Sequence, residues 1–252
     1  MSHSFRGGRH ELGQNFLTHT PSITAITELV RLTDGPLLEL GAGNGALTRH
    51  LAALGRPLTA IEIDERRVRQ LAARLPHVDV VHADALQVPL HAATVVGNIP
   101  FHLTTPILRR LLRAQEWKHA VLLTQWEVAR KRAGVGGGTM MTAQNAPWYE
   151  FALRGRVPRG GFVPAPSVDG GILTIDRRAS PLIRVAERRA YEQFVAAVFA
   201  GRGGRLERIV QNAVRTSPSV ARRAVAQAGA RGALPRDLGA EQWAFLWSAL
   251  RG

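Results

Sequence analysis

Between residues 36 and 131, short apolar runs alternate with amphipathic segments, and this rhythm restricts the chain more than any other feature. Runs at 36–40, 58–63, 78–82, 94–97 and 120–124 have strand length. The first is a short, mostly apolar run ending at Gly41 and reads as a strand covered on both faces. Helical patterns fill 44–54, 65–75 and 107–113, and another continues from the last run to Lys131. A strand that returns parallel to its neighbour needs a crossover long enough for a helix. The alternation therefore predicts an α/β fold, with a doubly wound, mostly parallel, Rossmann-like sheet. A leading helix is expected at 21–32, with Thr20 as N-cap, Pro21 in the first helical position, and Ile23, Ile26, Leu29 and Val30 on one face. The runs at 151–157 and 171–176 have only a proline-bearing loop between them, at 162–166, and should close the sheet as a hairpin-like pair.

Beyond Arg177 the strand signals stop. Tyr191, Phe194, Val195, Val198 and Phe199 fall at helical spacing, as do Leu206, Ile209, Val210 and Val214. Ser217-Pro218 reads as an N-cap with proline in the first turn, and Gly229 ends that helix. Trp243, Leu246, Trp247 and Leu250 form an i, i+3, i+4, i+7 stripe, expected to be core rather than a stacking surface. Residues 177–252 carry fourteen arginines against five acidic residues. Two domains follow: a catalytic-looking one over 1–176, opening with a flexible basic arm at 1–13, and a small basic all-helical one over 177–252.

The whole chain has 33 basic and 19 acidic residues, a formal charge of +14 and a pI near 11.6. Such an excess favours a polyanionic partner, nucleic acid before membrane, because phosphate contacts release counterions. GC-rich coding accounts for 31 of the cations being arginine, but not for the net excess. With no cysteine, a disulfide framework, a thiol nucleophile, an iron–sulfur cluster and a cysteine zinc site are all ruled out. The histidines show no metal-ligand spacing, and neither a G-x-S-x-G elbow nor a G-x-x-x-x-G-K-[ST] loop occurs. The glycine run at 134–138 lacks the following lysine of a phosphate cradle and is expected to be a mobile rim loop. Apolar runs such as 120–124 are too short to span a bilayer, and residues 1–10 are polar and glycine-rich. A soluble, cytoplasmic protein is expected.

The chemistry-bearing positions follow the strands. Gly41, Gly43 and Gly45 come directly after the first run, where glycine lets backbone pass close beneath a ligand. Their G-x-G-x-G spacing differs from the G-x-G-x-x-G of a dinucleotide cradle. Glu62 ends the second run, twenty-one residues after Gly41, where an acid can accept hydrogen bonds from both ribose hydroxyls of a nucleoside. Asp84 follows the third run and should face the same crevice, where it suits the exocyclic amine of an adenine. Asn98-Ile-Pro-Phe101 follows the fourth.

That last motif resembles the one in adenine-N6 methyltransferases that use S-adenosylmethionine. The resemblance implies that Asn98 and the Ile99 carbonyl accept the two N–H bonds of the target amine, with Pro100 and Phe101 completing the motif and Phe101 stacking on an extruded base. Gly13-Gln-Asn-Phe-Leu17 and Phe162-Val-Pro-Ala-Pro-Ser-Val168 extend the likeness to the ribosomal RNA adenine dimethyltransferases. It runs from about residue 9 to 176, while the tail matches only in kind. In that family the first segment folds over the cofactor and the second borders the target base. The likeness thus implies a class I S-adenosylmethionine-dependent methyltransferase fold. Asn15, Leu17, Gly41, Gly43, Glu62, Ile63, Asp84, Ala85 and Asn98 should line the cofactor, and Asn98, Ile99, Pro100, Phe101 and Phe162 should surround the reacting amine. No metal is implied.

Within the family the chain is most similar to the erythromycin-resistance branch, which methylates a large-subunit (23S) adenine in the drug site. That branch confers macrolide–lincosamide–streptogramin resistance. Housekeeping small-subunit enzymes usually carry leucine where Ile99 stands. Phe101 occupies a position where tyrosine is commoner, so no phenolic hydroxyl acts there. A small-subunit enzyme, or a non-catalytic RNA-binding assembly factor on the same fold, are the alternatives. Ribosomal RNA is the expected partner of a monomer. Phosphate contacts fix register without reading sequence. Removing the charges of Arg202, Arg205 and Arg208 should therefore weaken RNA binding evenly across substrates, and flatten the salt slope by up to ~0.7–0.9 for each phosphate no longer neutralised. Unchanged affinity and salt dependence in the triple variant would rule out phosphate binding by these arginines.

Overall fold

The structure, a computed structural model, describes residues 15–202 and 204–251, so the expected arm at 1–13 lies outside the described residues. In chain order the elements are β1 (Phe16–Leu17), α1 (Thr20–Arg31), β2 (Leu37–Leu40), α2 (Thr48–Ala52), β3 (Leu58–Glu62), α3 (Glu65–Arg74), β4 (Asp79–His82) and β5 (Thr94–Asn98). There follow α4 (Thr104–Arg113), β6 (His119–Gln125), α5 (Trp126–Arg132), α6 (Met140–Asn145), β7 (Tyr149–Val157), β8 (Phe162–Val163) and β9 (Gly170–Arg177). Helices α7 (Arg188–Ala200), α8 (Leu206–Val214), α9 (Pro218–Gln227) and α10 (Ala240–Leu250) complete the chain. No helix among the described residues is long and apolar enough to cross a membrane.

Seven strands form one sheet in the order β4-β3-β2-β5-β6-β9-β7, and β2 through β6 are mutually parallel along their pairings. β2 lies between β3 and β5, so the winding reverses beside it. At such a switch point a crevice opens at the carboxyl ends of the strands. All four β2 residues are buried, the acid Glu39 among them. Ile23, Ile26 and Val30 of α1 are buried as their spacing requires, in one core with Leu37, Ala60, Val96 and Val121. The segments at 151–157 and 171–176 are neighbours in the sheet, as expected. The loop between them carries β8 away to pair antiparallel with β1, setting Phe16 opposite Val163 and Leu17 opposite Phe162.

Two local expectations are corrected. Thr20 is the first helical residue of α1, and His19 holds the N-cap in extended conformation, its Nδ1 2.7 Å from Ser22 Oγ. The helix expected over 44–54 contracts to Thr48–Ala52, because Gly43 and Gly45 hold φ of +57° and +80°, outside the right-handed helical region. At Gly45 the need for glycine is doubled: a Cβ there would stand 2.5 Å from Leu71 of α3.

The chain divides into two compact units. One takes the described residues up to Ala129 with Arg154–Thr174, and the other Arg130–Leu153 with the residues from Ile175 on. The second unit has its own aromatic core. Tyr191 meets Trp148 and Trp247 edge-on, with centroids 5.5 and 5.8 Å apart, and Phe194 meets Trp243 the same way at 6.0 Å. Trp243, Leu246 and Trp247 are buried, as the stripe predicts. The Tyr191 hydroxyl donates to Ala143 O at 2.8 Å, and Arg188 donates to Asn145 Oδ1 at 2.7 Å. These bonds group residues 130–153 with the tail helices, so packing divides the chain at 129/130, 153/154 and 174/175, whereas the change of rhythm marks 176/177. The glycine run is anchored rather than mobile: Gly138 N donates to Arg236 O at 2.6 Å, and a Cβ on Gly137 would meet the Arg236 stem at 3.3 Å.

Glu187 holds this unit together electrostatically. Its carboxylate accepts from Trp247 Nε1 at 2.8 Å, from Arg184 Nε at 2.6 Å and from Arg251. These bonds hold its pKa at about 2, below the ordinary 4.5. A depressed acid contributes stability above its unfolded pKa and loses it as pH falls toward the folded value. Thermal melts followed by tryptophan fluorescence should therefore show a loss of stability from pH 4.5 toward 2 that Glu187→Gln lessens. A Glu187→Gln protein with wild-type acid sensitivity would contradict this.

Candidate active site

A cavity of about 740 Å³ opens at the carboxyl ends of β2, β3 and β5, within the first unit. Twelve of the thirteen site residues expected from sequence line it: Asn15, Leu17, Gly41, Gly43, Glu62, Ile63, Asp84, Ala85, Asn98, Ile99, Pro100 and Phe101. Phe162 does not. Its ring is 2 % exposed, lies in the core, and touches the place where a Gly170 Cβ would be. Pairing with Leu17 turns Phe162 inward and leaves Val163 outward, because successive strand residues face opposite sides. The structure thus places Phe162 in the core, apart from the cavity that the other twelve line.

The glycine turn and Glu62 are built as one piece. Gly41 N and Ala42 N both donate to Ile61 O at 2.9 Å, which folds the chain back over the end of β3. Gly43 N then donates to Glu62 Oε2 at 2.7 Å, and Asp64 N to Glu62 Oε1 at 2.9 Å. Glu62 is 2 % exposed, so these bonds offset the cost of burying its charge. Each oxygen keeps a lone pair for a ligand hydroxyl. Phe16 covers the turn, within 3.2 Å of a Cβ placed on Gly43, and the Arg67 guanidinium lies 4.5 Å above its ring.

Asp84 both fixes the turn that follows it and lines the cavity. Its Oδ1 accepts from Leu86 N at 2.8 Å and its Oδ2 from Gln87 Nε2 at 3.2 Å, which fixes the carboxylate in the cavity wall. The exposed Ile63 and the half-buried Ala85 supply apolar surface on either side. Asn98 ends β5, and its Nδ2 donates to Asn15 O at 2.8 Å. A carbonyl can only accept, so this bond assigns the amide: the NH₂ faces Asn15 and Oδ1 points the other way. Ile99 N donates to Leu123 O at 2.9 Å and the Ile99 side chain is buried, which leaves its carbonyl as that residue's polar group at the cavity.

Sequence reading passes over Glu39. It stands in the middle of an apolar strand, is 1 % exposed, and lines the cavity beside Leu40 and Gly41. Its Oε2 has no hydrogen-bond partner among the described residues. Burial pushes its pKa up to about 8, the nearby Thr48 hydroxyl offsets part of this, and the charge of Glu62 pushes further up. An acid inside a run that otherwise reads as a buried strand is the signal that could have found it. The cavity thus combines a deep acid kept protonated by burial, a nucleoside-type acid, and an amide oxygen with a backbone carbonyl at the mouth of β5. It suits a cationic nucleoside on one side and a planar amine on the other.

Comparisons with known proteins agree. The family model for ribosomal RNA adenine dimethylase matches residues 6–228. An rRNA adenine N-6-methyltransferase of Corynebacterium diphtheriae is 52% identical over 200 residues, 78% of this chain and 79% of that protein. The mycinamicin-resistance protein MyrB of Micromonospora griseorubida is 49% identical over 251 residues, 97% of this chain and 80% of that one. The crystal structure of the 23S rRNA methyltransferase ErmE superposes with a TM-score of 0.86 at 35% identity, covering 94% of this chain and all of the other.

The raised acid has a consequence for the free protein. Between pH 4.5 and 8 the unfolded chain carries Glu39 ionised while the folded chain keeps it protonated, so the folded state binds the extra proton. Stability should then fall as pH rises through this window and level off above it. The full effect is about 5 kcal/mol at one pKa unit per 1.36 kcal/mol. Urea unfolding of Glu39→Gln across the window should show a flatter pH dependence than wild type. Parallel curves would remove Glu39 as the cause.

Proposed function

The chain belongs to the ribosomal RNA adenine dimethylase family, and from that premise we propose that it transfers methyl groups from S-adenosylmethionine to N6 of an adenine in 23S ribosomal RNA. Such a methyl group in the drug site confers macrolide–lincosamide–streptogramin resistance. Similarity to a mycinamicin-resistance protein along 97% of the chain, and to a 23S rRNA methyltransferase along 94%, favours this over small-subunit housekeeping. Ile99, where housekeeping enzymes carry leucine, points the same way. An assembly factor without catalysis would have no use for the Asn15–Asn98 bond, which aims an amide oxygen.

That bond carries the reading. The exocyclic amine of adenine is a poor nucleophile because its lone pair is delocalised into the ring. Asn98 Oδ1 and the Ile99 carbonyl accept its two N–H bonds, which localises the lone pair and directs it. Pro100 has no N–H to compete, and Phe101 offers its ring face to the base. Bound S-adenosylmethionine supplies a methyl already made electrophilic by its sulfonium. The cavity fits that group: the Glu62 oxygens suit ribose hydroxyls, Asp84 an adenine amine, Ile63 and Ala85 the flat faces, and the unpartnered Glu39 Oε2 an ammonium. Asn15 and, from β1, Leu17 line the same cavity. Catalysis by these residues is orientation and exclusion of water, with hydrogen bonds set in advance.

Transfer of labelled methyl groups to purified 23S and 16S rRNA, with the modified position mapped by primer extension, tests the reaction. Label in 16S rRNA alone would reverse the choice of subunit. Asn98→Ala should bind S-adenosylmethionine nearly as wild type yet lose ~2.7–4 kcal/mol of transition-state stabilisation, the cost of a missing positioned donor or acceptor. Glu62→Ala should instead weaken cofactor affinity by roughly 1.5–3 kcal/mol, as for hydrogen bonds to charged groups. Calorimetry and single-turnover rates separate the two, and the opposite pattern would exchange the roles.

A further inference from the structure

Beyond the cavity, an indole and a guanidinium form a fixed stack at the same end of the sheet. β6 runs parallel to β5 with Asn98 opposite Leu123. Trp126 follows three residues later, so it lies roughly 10 Å further along the edge where Asn98 to Phe101 leave the sheet. Its backbone N donates to Asp169 O at 2.9 Å. Gly171 passes so close that a Cβ would stand 2.7 Å from Ala129 and 3.3 Å from Trp126 Cα and Cε3. Above the indole, at 5.2 Å from its centroid, lies the Arg156 guanidinium.

Asp169 pins that guanidinium. Its Oδ2 accepts from Arg156 Nε at 2.7 Å, while its Oδ1 accepts from Arg159 N at 2.8 Å. The Arg159 amide bond, followed by Arg156, holds the Asp169 carboxyl below its ordinary range. Arg156 thus has one face toward an aromatic ring and one edge on a carboxylate, yet its side chain remains 60% exposed. An internal ion pair needs no such exposed planar face. An arginine that serves only as a surface charge needs neither the indole beneath it nor the carboxylate that removes its mobility. Both are what a stacking surface for a flat, electron-rich ring requires.

We propose that the Trp126–Arg156 stack is the seat of a nucleobase flanking the target adenosine. This rests on the reading of the protein as an RNA methyltransferase. Extrusion of one base separates its neighbour from a stacking partner, and the guanidinium replaces that partner. Exposed Arg154 and Arg159 on either side along the chain suit the phosphates of the same strand. Every base has a π-face, so the seat strengthens binding without selecting sequence.

The test uses a stem-loop substrate of 23S rRNA and variants of it with one abasic nucleotide beside the target. Arg156→Ala should lose between about 5- and 140-fold in kcat/KM on intact RNA, the scale of one base stack. Wild type should lose as much on the abasic RNA, and the two losses should not add. Arg156→Lys should resemble Arg156→Ala, because it keeps the charge and lacks the plane. With 2-aminopurine in the flanking position, wild type should quench its fluorescence on binding and Arg156→Ala should not. Full rescue by lysine would replace the stack with a phosphate contact, and additive losses or an unaffected Arg156→Ala would overturn the proposal. Failure of wild type to methylate intact RNA would instead overturn the function on which it rests.

Discussion

The bond from Gly43 N to Glu62 Oε2 is the constraint on which the catalytic unit is organised. It joins the loop after β2 to the last residue of β3, and the loop that carries it takes positive φ at Gly41, Gly43 and Gly45. Those same angles keep α2 from starting early, so the cavity keeps its floor. They also bring the backbone under Phe16, and a Cβ at Gly45 would push α3 outward through Leu71. One buried carboxylate therefore sets the depth of the cleft, the position of its cover and the approach of a helix. Glu39 lines the same cavity, kept protonated at neutral pH chiefly by its own burial, with the charge of Glu62 adding to the shift.

Much of this is legible in the sequence. Strand and helix alternate at a spacing that admits few topologies, and the glycines, Glu62, Asp84 and Asn98 each follow a strand, so their convergence follows from parallel winding. What escapes reading has particular physical causes. The N-cap at His19 and the contraction of α2 are matters of backbone angle at one or two residues, which composition does not encode. The polar, proline-rich motif around Phe162 points to the base. Its inward turn comes from pairing with Leu17, 145 positions earlier in sequence, and no local pattern records that partner. Glu39 is hidden by its neighbours, since Leu-Leu-Glu-Leu reads as an apolar run unless its one acid is asked where its charge goes.

The second unit shows a different limit. The boundary near Arg177 is where strands end and arginines gather, and both signals are real. Residues 130–153 nevertheless group with the helices, because Trp148 packs on Tyr191 and the Tyr191 hydroxyl needs the Ala143 carbonyl. Burial of that hydroxyl pushes its pKa well above the ordinary value, so it stays protonated as a donor. A change in rhythm marks where secondary structure alters, whereas a packing boundary is drawn by a few large side chains. The glycine run at 134–138 illustrates the same point, since it is held by Arg236, a residue about a hundred positions away.

The pairing of β1 with β8 also orders events during synthesis. Residues 16 and 17 leave the ribosome first, yet their partners are 163 and 162. Until those emerge, the β1–β8 pairing beside Asn15 cannot form, although the residues of β2 to β6 and of the glycine turn have all been made. The residues that build the cavity wall thus precede in synthesis the ones that complete its cover. Chain length alone separates the two.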